Sequence, residues 1–332
     1  MKKIINEPES VVGDMLTGMV AAHPDYVRKL ADYNCLVSTS APVSGKVGVI
    51  SGGGSGHEPA HAGYIGKGLL DAACIGNVFS SPTPDHFYAA AKAVDSGAGV
   101  LMVIKNYSGD LMNSQMAEEM AEFEDLKIVR VIVDDDVAVK NSTYTTGRRG
   151  IAGTVFVHKI AGAKAAQGAT LAEVHAVAEK VVANVRSMGM ALTPCIVPIA
   201  GKANFSLADD EMEIGMGIHG EPGIERTKVA SAEAITRTLL GAIIDDLPYA
   251  AGDEVAVMVN GLGATPLMEL YIMNKTISAI CAQKGILIYR TYVGEFMTAL
   301  EMAGASISLL RLDDELKALL DAPADSIAFK QF

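Results

Sequence analysis

The chain has 332 residues, of which 50% are hydrophobic and 20% charged, so it can bury a sizeable core and is long enough for two domains. Its formal net charge of -12 argues against a nucleic-acid partner, which would require clustered positive charge. The start of the chain lacks the apolar segment of a secretory signal, and no apolar run approaches the roughly 18 residues of a membrane span, so we expect a cytoplasmic protein. The four cysteines form no CxxC pair and are predicted to be free, mostly buried thiols.

Hydrophobic periodicity predicts alternating helices and strands along the first half of the chain. A helix is predicted over residues 9–32, where apolar residues recur at helical spacing. Short strands rich in Val and Ile are predicted at 47–50, 72–75, 100–105 and 128–133. Further helices are predicted at 87–94, 112–123, 151–166 and 171–186.

Residues 187–191, with a glycine at position 189, break the last of these helices. We predict a domain boundary there, which gives an N-terminal domain at 1–187 and a C-terminal domain at 188–332. The second half is predicted to contain an extended piece at 194–198, helices at 232–244, 267–283 and 295–303, and strands at 254–260, 286–292 and 307–312. Strand–helix alternation is typical of α/β folds, so we predict two α/β lobes with mostly parallel or mixed sheets flanked by helices.

The most distinctive stretch is 47–61, VGVISGGGSGHEPAH, where a strand runs directly into a glycine-rich loop. Open α/β sheets bind ligands at such strand ends, and glycines let backbone N–H groups approach a ligand closely. The stretch lacks the GK[ST] ending of a phosphate-binding loop, and His57 takes the last glycine position of a GxGxxG motif. It also misses the closing glycine of GxSxG, which argues against a hydrolase built on Ser55. We interpret it as a loop that presents an ionisable imidazole to a ligand.

Further polar loops follow other predicted strands. SPTPD precedes a helix, and KNYSGD places Lys105 and Asp110 at a strand end, where buried charges are costly without a function. Three consecutive acids at 134–136 follow the next strand. They could bind Mg²⁺, but they suit helix capping or a solvated turn equally well.

The second half contains GIHGEPG, which resembles the earlier GHEP in placing a histidine beside glycine and before Glu-Pro. Proline stiffens such a turn and glycine uncovers the imidazole. His57 and His219 are therefore the candidates for chemistry, with Asp110 third. His61 is ambiguous because it lies just beyond the first loop. The other four histidines are predicted to have ordinary helical or surface positions: His23, His86, His158 and His175.

An imidazole without a metal offers two chemistries. It can transfer protons near neutral pH, or its neutral nitrogen can attack an electrophilic carbonyl carbon. Attack requires that the ring reach the carbon unobstructed, which suits a histidine flanked by glycine. A second imidazole and a carboxylate would supply the acid and base of such an addition.

Seven motifs carry a resemblance to a known family. In chain order they are SGGGSGHEPAH, SPTPD, KNYSGD, DDDVAVK, TGRRG, LADDEMEIGMGIHGEPG and NGLGATPLMELY. Together they resemble the substrate-binding K subunit of dihydroxyacetone kinases, from residue 1 to about residue 323. The resemblance implies a two-lobed α/β chain, usually a homodimer, that holds dihydroxyacetone between its lobes.

The resemblance also implies roles for individual residues. His219 matches the histidine that forms a covalent hemiaminal with the ketone, and His57 and Asp110 match groups that assist proton transfer. Asp110 is the better candidate for activating the hydroxyl that accepts phosphate. The substrate's oxygens would be held by Gly54, Ser55, Gly56 and Lys105. A covalent bond suits so small a ligand, because few atoms are available for non-covalent contacts.

Chain length bears on the branch of the family. ATP-dependent members carry a further helical nucleotide-binding domain, and this sequence ends at Phe332, before such a domain. The resemblance therefore implies the phosphoenolpyruvate-dependent phosphotransferase-system branch, in which an L-type partner subunit carries ADP and Mg²⁺ and an M-type subunit recharges it. This chain would then hold no cofactor and no metal, and 134–136 would be structural.

The alternative within the family is a dihydroxyacetone-sensing co-activator of a transcription regulator, which could keep the ligand histidine. Retention of His57, Lys105 and Asp110 favours the kinase subunit. A dinucleotide-dependent dehydrogenase is disfavoured by the glycine spacing and by the lack of a clear acidic residue after the strand at 72–75.

Overall fold

The computed structural model describes residues 2–140 and 146–332. Within these two segments the chain forms eight α-helices: α1 (Val11–Ala22), α2 (Pro84–Val94), α3 (Ser108–Glu122), α4 (Thr154–Ala166), α5 (Leu171–Asn184), α6 (Ala232–Asp246), α7 (Leu267–Lys284) and α8 (Asp314–Asp321). None of these helices is both long enough and apolar enough to cross a membrane.

The same segments contain seventeen strands. In the first half they are β1 (Val27–Lys29), β2 (Cys35–Ser38), β3 (Gly48–Ser55), β4 (Gly66–Lys67), β5 (Ala72–Val78), β6 (Val100–Lys105) and β7 (Ile128–Val133). In the second half they are β8 (Val185–Ala191), β9 (Ile196–Val197), β10 (Lys202–Ala203), β11 (Glu211–Ile214), β12 (Glu225–Lys228), β13 (Glu254–Gly261), β14 (Leu287–Gly294), β15 (Gly304–Leu312), β16 (Ala324–Ser326) and β17 (Lys330–Gln331).

The first large sheet has the strand order β1-β2-β5-β3-β6-β7. Strands β5, β3, β6 and β7 run parallel, and β1 and β2 add an antiparallel edge. All six residues of β6 are buried, as expected for a parallel strand covered on both faces. Because parallel strands end at the same edge, the carboxyl ends of β3, β5 and β6 come together there.

The second large sheet has the order β12-β11-β8-β15-β13-β14, and within it β13 and β14 are the parallel pair, while the other neighbours are antiparallel. Helices α6 and α7 pack on this sheet through an apolar cluster that includes Leu239 and Ile277. The sheets are therefore parallel in large part in the first half and mixed in the second, which confirms the predicted α/β fold class.

Helices α4 and α5 lie between the two large sheets. One apolar cluster contains Val49 and Leu101 of the first sheet, Phe156 of α4, and Ala256 and Leu310 of the second sheet. Helix α4 is buried along nearly its whole length, so it has no polar face. The four cysteines are buried and free, as predicted.

The domain division at 187/188 stays a prediction. Both residues lie inside β8, which sits between β11 and β15 in the second sheet. The segment predicted as a break is therefore a strand. It follows α5 directly, because that helix ends at Asn184 rather than at residue 186.

Two predicted helices differ from the structure. Helix α1 ends at Ala22 rather than continuing to residue 32, because Pro24 cannot be accommodated in a helix interior. The helix predicted at 295–303 does not form. Instead, the backbone N–H groups of Thr298 and Leu300 donate to the carbonyl oxygens of residues 57 and 56, so this segment packs on the first histidine loop.

The glycine-rich stretch is a strand rather than a loop, since β3 continues through it to Ser55. A Cβ atom at Gly52 would lie 2.7 Å from the ring of Phe87, and one at Gly54 would lie 2.6 Å from the backbone nitrogen of Ser80. These glycines therefore allow α2 and the segment after β5 to approach the strand closely.

Candidate active site

A cavity of about 540 Å³ opens at the carboxyl ends of the first sheet's parallel strands, between the two halves of the chain. It is lined by Gly54, Phe79, Ser81, Tyr107, Ser108, Gly109, Asp110, Asn204, His219, Gly220 and Glu221. The first turn of α3 forms part of this wall. Because a helix N-terminus carries partial positive charge, this wall favours oxygen atoms and developing negative charge.

The loop between β11 and β12 holds His219 at the cavity wall. Its Nδ1 lies 2.8 Å from Glu221 Oε1, and its backbone N–H donates to Glu221 Oε2 at 2.9 Å. Asn204 donates to the His219 carbonyl oxygen at 2.9 Å. An ionised carboxylate can only accept, so Nδ1 carries the proton and Nε2 of the neutral ring keeps its lone pair. The ring is thus held in the tautomer whose Nε2 is a nucleophile.

Glu221 is almost fully buried beside this ring. Burial raises the pKa of Glu221, but the His219 imidazole and the Arg149 guanidinium more than offset this and lower it to about 2. A Cβ atom at Gly217 would clash with the Glu221 carboxylate, so glycine is required for this approach. The carboxylate therefore stays ionised at neutral pH and can stabilise positive charge on the imidazole.

Three aromatic rings surround His219 edge-on. The distances between its ring centroid and those of Phe79, Tyr107 and His57 are 5.2 Å, 4.7 Å and 4.8 Å. Such edge-to-face packing favours one orientation of the ring plane.

His57 lies directly behind His219 and is fully buried. Its Nδ1 donates to the Thr298 carbonyl oxygen at 2.7 Å, which leaves the lone pair on Nε2. That Nε2 atom has no hydrogen-bond partner among the described residues. Burial, together with the nearby His219 and Lys105, lowers the pKa of His57 well below its usual value. His57 is thus a neutral imidazole that can accept a proton from a ligand.

Lys105 ends β6, and Asp110 lies in the first turn of α3. Lys105 Nζ and Asp110 Oδ2 are 3.8 Å apart, and both side chains are buried. Burial lowers the pKa of Lys105, whereas the Asp110 carboxylate raises it. The other carboxylate oxygen, Oδ1, has no partner in the described parts of the chain. Asp110 therefore offers a free acceptor at the cavity wall.

Four buried polar atoms in and directly behind this wall lack a hydrogen-bond partner within residues 2–140 and 146–332. They are Ser55 Oγ, His57 Nε2, Tyr107 Oη and Asp110 Oδ1. Buried polar groups are normally paired, so a cluster of unpaired ones marks a place where a small polar ligand can supply the partners.

The structure brings all seven predicted site residues together in two layers. Gly54, Asp110 and His219 line the cavity, whereas Ser55, Gly56, His57 and Lys105 are buried behind it. Both backbone groups of Gly56 are used within the protein. Its N–H donates to the Glu58 carboxylate at 3.1 Å, and its carbonyl accepts from the Leu300 N–H at 2.7 Å.

Sequence reasoning missed several residues that hold the site together. Glu221 lies inside GIHGEPG, where a carboxylate two residues after a histidine is a usable signal. Thr298 lies in a segment wrongly predicted as helix. His158 lies on a helix, as predicted, but the surface position predicted for it is wrong: its ring is buried, with Nε2 2.9 Å from His61 Nδ1. The apolar residues on both sides of position 158 are the signal for that burial.

Two of the acids at 134–136 have structural partners. Asp135 accepts from two backbone N–H groups just before α4, at 2.8 Å and 2.9 Å. Asp136 forms a buried ion pair with Arg149, whose guanidinium also donates to the Gly215 carbonyl oxygen at 2.7 Å. Within the residues that the structure describes, no group of three or more His, Cys, Asp and Glu side chains is placed to hold a metal.

Sequence comparison identifies relatives along the whole chain. Residues 17–328 match the Dak1 domain family model. The chain is 49% identical over 330 residues to the PTS-dependent dihydroxyacetone kinase 1, dihydroxyacetone-binding subunit DhaK, of Listeria innocua, covering 99% of this chain and 100% of that protein. It is 43% identical over 352 residues to the PEP-dependent dihydroxyacetone kinase, dihydroxyacetone-binding subunit DhaK, of Escherichia coli, covering 99% of each.

Structure comparison gives two kinds of neighbour. The dihydroxyacetone kinase of C. freundii superposes with a TM-score of 0.91 at 33% identity, covering 99% of this chain and 60% of that one. The dihydroxyacetone kinase operon co-activator Dha-DhaQ also has a TM-score of 0.91 at 33% identity, covering 98% of this chain and 99% of that one.

Proposed function

This chain belongs to the Dak1 domain family, and we propose that it is the dihydroxyacetone-binding subunit of a phosphoenolpyruvate-dependent dihydroxyacetone kinase, a phosphotransferase that forms dihydroxyacetone phosphate. The similarity to the two DhaK subunits, each aligned over at least 99% of both chains, supports this proposal. The observation that carries it is the pairing of His219 with Glu221 at the wall of a cavity that also contains Asp110.

The proposed binding step is covalent. The lone pair of His219 Nε2 attacks the ketone carbon, the C=O π electrons move to the oxygen, and the oxygen takes a proton to give a hemiaminal. The Nδ1 proton stays with the ring and Glu221, whose carboxylate balances the charge that develops on the imidazole. We assign Lys105 as the ammonium that hydrogen-bonds the ketone oxygen and supplies its proton, with the backbone around Gly54, Ser55 and Gly56 enclosing the ligand.

In the proposed transfer step, a hydroxyl of the bound ketone loses its proton as its oxygen attacks the phosphoryl group. Asp110 is the acceptor of that proton, because its Oδ1 atom is buried and unpaired among the described residues. His57, whose Nε2 has no hydrogen-bond partner among the described residues, assists proton transfer. Orientation of the small acceptor does much of the catalytic work.

The remaining components belong to other subunits in this proposal. ADP and Mg²⁺ are carried by an L-type partner, and an M-type subunit restores its phosphoryl group from phosphoenolpyruvate. The chain itself acts as a homodimer in the cytoplasm and holds neither nucleotide nor metal.

A second candidate function is a dihydroxyacetone-sensing co-activator, which the superposition with Dha-DhaQ favours. Reconstitution separates the two. The chain is mixed with cognate L-type and M-type subunits, the general phosphotransferase proteins, phosphoenolpyruvate and dihydroxyacetone, and dihydroxyacetone phosphate is measured. A kinase subunit gives product that depends on this chain and is lost in His219→Asn. A co-activator binds the ketone without forming product, and a chain that does neither contradicts both functions.

A further inference from the structure

Behind Lys105 lies a second pair of imidazoles that the proposed reaction does not use. Lys105 Nζ is 3.1 Å from His61 Nε2, and His61 Nδ1 is 2.9 Å from His158 Nε2. Both rings are buried and meet edge-on, with centroids 5.1 Å apart. Lys105 Nζ also lies 3.8 Å from Asp110 Oδ2, so Asp110, Lys105, His61 and His158 form a connected set of polar groups that begins at the cavity wall.

The hydrogen bonds of Ser51 indicate the direction of these contacts. Its hydroxyl donates to the Val103 carbonyl oxygen at 2.7 Å, which uses its single proton. Its oxygen lies 3.4 Å from His61 Nδ1 and can therefore only accept from that atom. His61 Nδ1 thus carries the ring proton, shared between Ser51 Oγ and His158 Nε2. The proton of neutral His158 is then on its Nδ1, which has no hydrogen-bond partner among the described residues. The lone pair of His61 is then on Nε2, facing the Lys105 ammonium.

We propose that His61 and His158 are positioning residues for Lys105. His61 accepts one N–H of the buried ammonium, and His158, by accepting from His61 Nδ1, holds His61 in the only neutral tautomer that can do so. The other two N–H bonds of Lys105 remain for Asp110 and the ketone oxygen. This inference rests on the proposed function, in which Lys105 binds that oxygen.

The opposite tautomer would disrupt the site. With its proton on Nε2, His61 would point an N–H bond at the Lys105 ammonium, and a buried charge without an acceptor is costly. The ammonium would then turn away or lose its proton. His158 is therefore linked to the charge of Lys105 although the two residues are separated by the His61 ring.

The surrounding charges agree with this arrangement. Burial lowers the pKa of Lys105, and the carboxylates that raise it come from three other parts of the fold: Asp110, Asp135 and Glu221. Burial and the Lys105 charge lower the pKa of His158 to about 3 and that of His61 well below its usual value. His57 on the neighbouring strand end is kept neutral as well. The two positioning histidines therefore stay neutral at physiological pH and leave the charge on Lys105.

The first test reads the His61 tautomer directly. The full-length chain is labelled with ¹⁵N-histidine, and long-range ¹H–¹⁵N spectra are recorded, with the His61 signals assigned by their loss in His61→Gln. We expect Nδ1 to be the protonated nitrogen in the wild type and in His158→Gln, whose amide oxygen can replace Nε2 as the acceptor. In His158→Met, which has similar length and no strong acceptor, we expect a mixture of tautomers. Protonation of Nε2 in the wild type, or no change in His158→Met, overturns the proposal.

The second test measures the consequence in the complex reconstituted with the L-type and M-type subunits. The alkaline limb of the pH profile of kcat/KM should report the loss of the Lys105 charge. In His158→Met we expect this limb to shift to lower pH by about one unit, so that kcat/KM at pH values above the limb falls about tenfold. His158→Gln should give a profile close to that of the wild type. Unchanged profiles in both variants overturn the inference. If the wild type does not turn over, the proposed function fails, but the tautomer of His61 in the wild type still tests the direction of the hydrogen bonds. If His158→Met does not fold, the tautomers of the wild type and of His158→Gln provide that test.

Discussion

The two histidine loops, GHEP and HGEP, have nearly the same sequence but give their imidazoles different partners. In both loops the glutamate accepts from the backbone N–H two residues before it. Gly56 donates to Glu58 at 3.1 Å, and His219 donates to Glu221 at 2.9 Å. Only in the second loop does the same carboxylate also bind the histidine ring.

One inserted residue accounts for the difference. Gly220, with φ of 82°, separates histidine and glutamate in the second loop, so the histidine occupies the position two residues before the carboxylate. Glycine adopts this left-handed conformation without steric cost. The first loop has no insertion, and a glycine takes that position. Its histidine, His57, binds the Thr298 carbonyl oxygen instead.

The two partners produce opposite electrostatics. Burial raises the pKa of Glu58, whereas His219 and Arg149 outweigh burial and lower the pKa of Glu221 to about 2. Next to a carbonyl oxygen, His57 stays a neutral acceptor. Beside an ionised carboxylate, His219 can tolerate a positive charge on its ring. A small change in spacing therefore places one imidazole against a carbonyl oxygen and the other against an ionised carboxylate.

The largest effect is expected from His219→Asn. Because the nucleophilic nitrogen is lost, we expect no ketone adduct and a decrease in kcat/KM of about 10⁴-fold or more. Intact-protein mass spectrometry and reconstituted turnover measure the two effects. The matched change in the other loop, His57→Asn, should still form the adduct. An adduct retained in His219→Asn would contradict the assignment.

Asp110→Asn should lower kcat by about 10³-fold, because an amide cannot accept the hydroxyl proton. Binding of the ketone, measured by calorimetry, should change little, since His219 and Glu221 are untouched. Normal turnover in this variant would show that Asp110 is not the base.

The comparison of the loops is tested most sharply by Glu221→Gln against Glu58→Gln. Loss of the charge beside His219 should lower kcat/KM about 10²-fold, since the group that fixes tautomer and charge is gone. Glu58→Gln removes a carboxylate from the same place in the other loop and should have less than about a tenfold effect, because Glu58 accepts from a backbone N–H rather than from the imidazole. Equal losses in both variants would mean that the carboxylates have the same role.

The smallest expected effect concerns the stability of the fold at low pH, to which His57 and Glu221 should contribute over different pH ranges. The pKa of His57 is lowered in the folded chain, so below its usual pKa of 6.5 the unfolded chain binds a proton at this residue and the folded chain does not. The free energy of unfolding should therefore decrease as the pH falls below 6.5, by about 1.4 kcal/mol per pH unit. The pKa of Glu221 is lowered from 4.5 to about 2, so its contribution to the free energy of unfolding is lost only as the pH falls from 4.5 towards 2. Urea unfolding of wild type, His57→Gln and Glu221→Gln across this range measures both windows. Parallel pH profiles for wild type and His57→Gln would contradict the neutral burial of His57.

Much of the first sheet could be predicted from the sequence, because buried parallel strands are continuous apolar runs. The predicted strands 100–105 and 128–133 have the bounds that the structure gives. Polar residues directly after such runs indicated Lys105 and Asp110, since strand ends converge at one edge. The glycine–histidine loops could also be predicted, because their distinctive residues are adjacent in sequence.

Partners distant in sequence could not be predicted. Thr298 is 241 residues from the ring nitrogen that it binds, in a segment whose apolar residues resemble a helix. His158 is 97 residues from His61, and its burial depends on α4 lying between two sheets. The end of α1, in contrast, was predictable from Pro24, which outweighs the helical periodicity that continues past it.

The most direct test of the covalent role of His219 is a crystal structure of the chain soaked with dihydroxyacetone. The account predicts continuous density between His219 Nε2 and the ketone carbon, with Glu221 still hydrogen-bonded to Nδ1. A ketone that lies in the cavity without a bond to His219, or one joined to Lys105 as an imine, would contradict it.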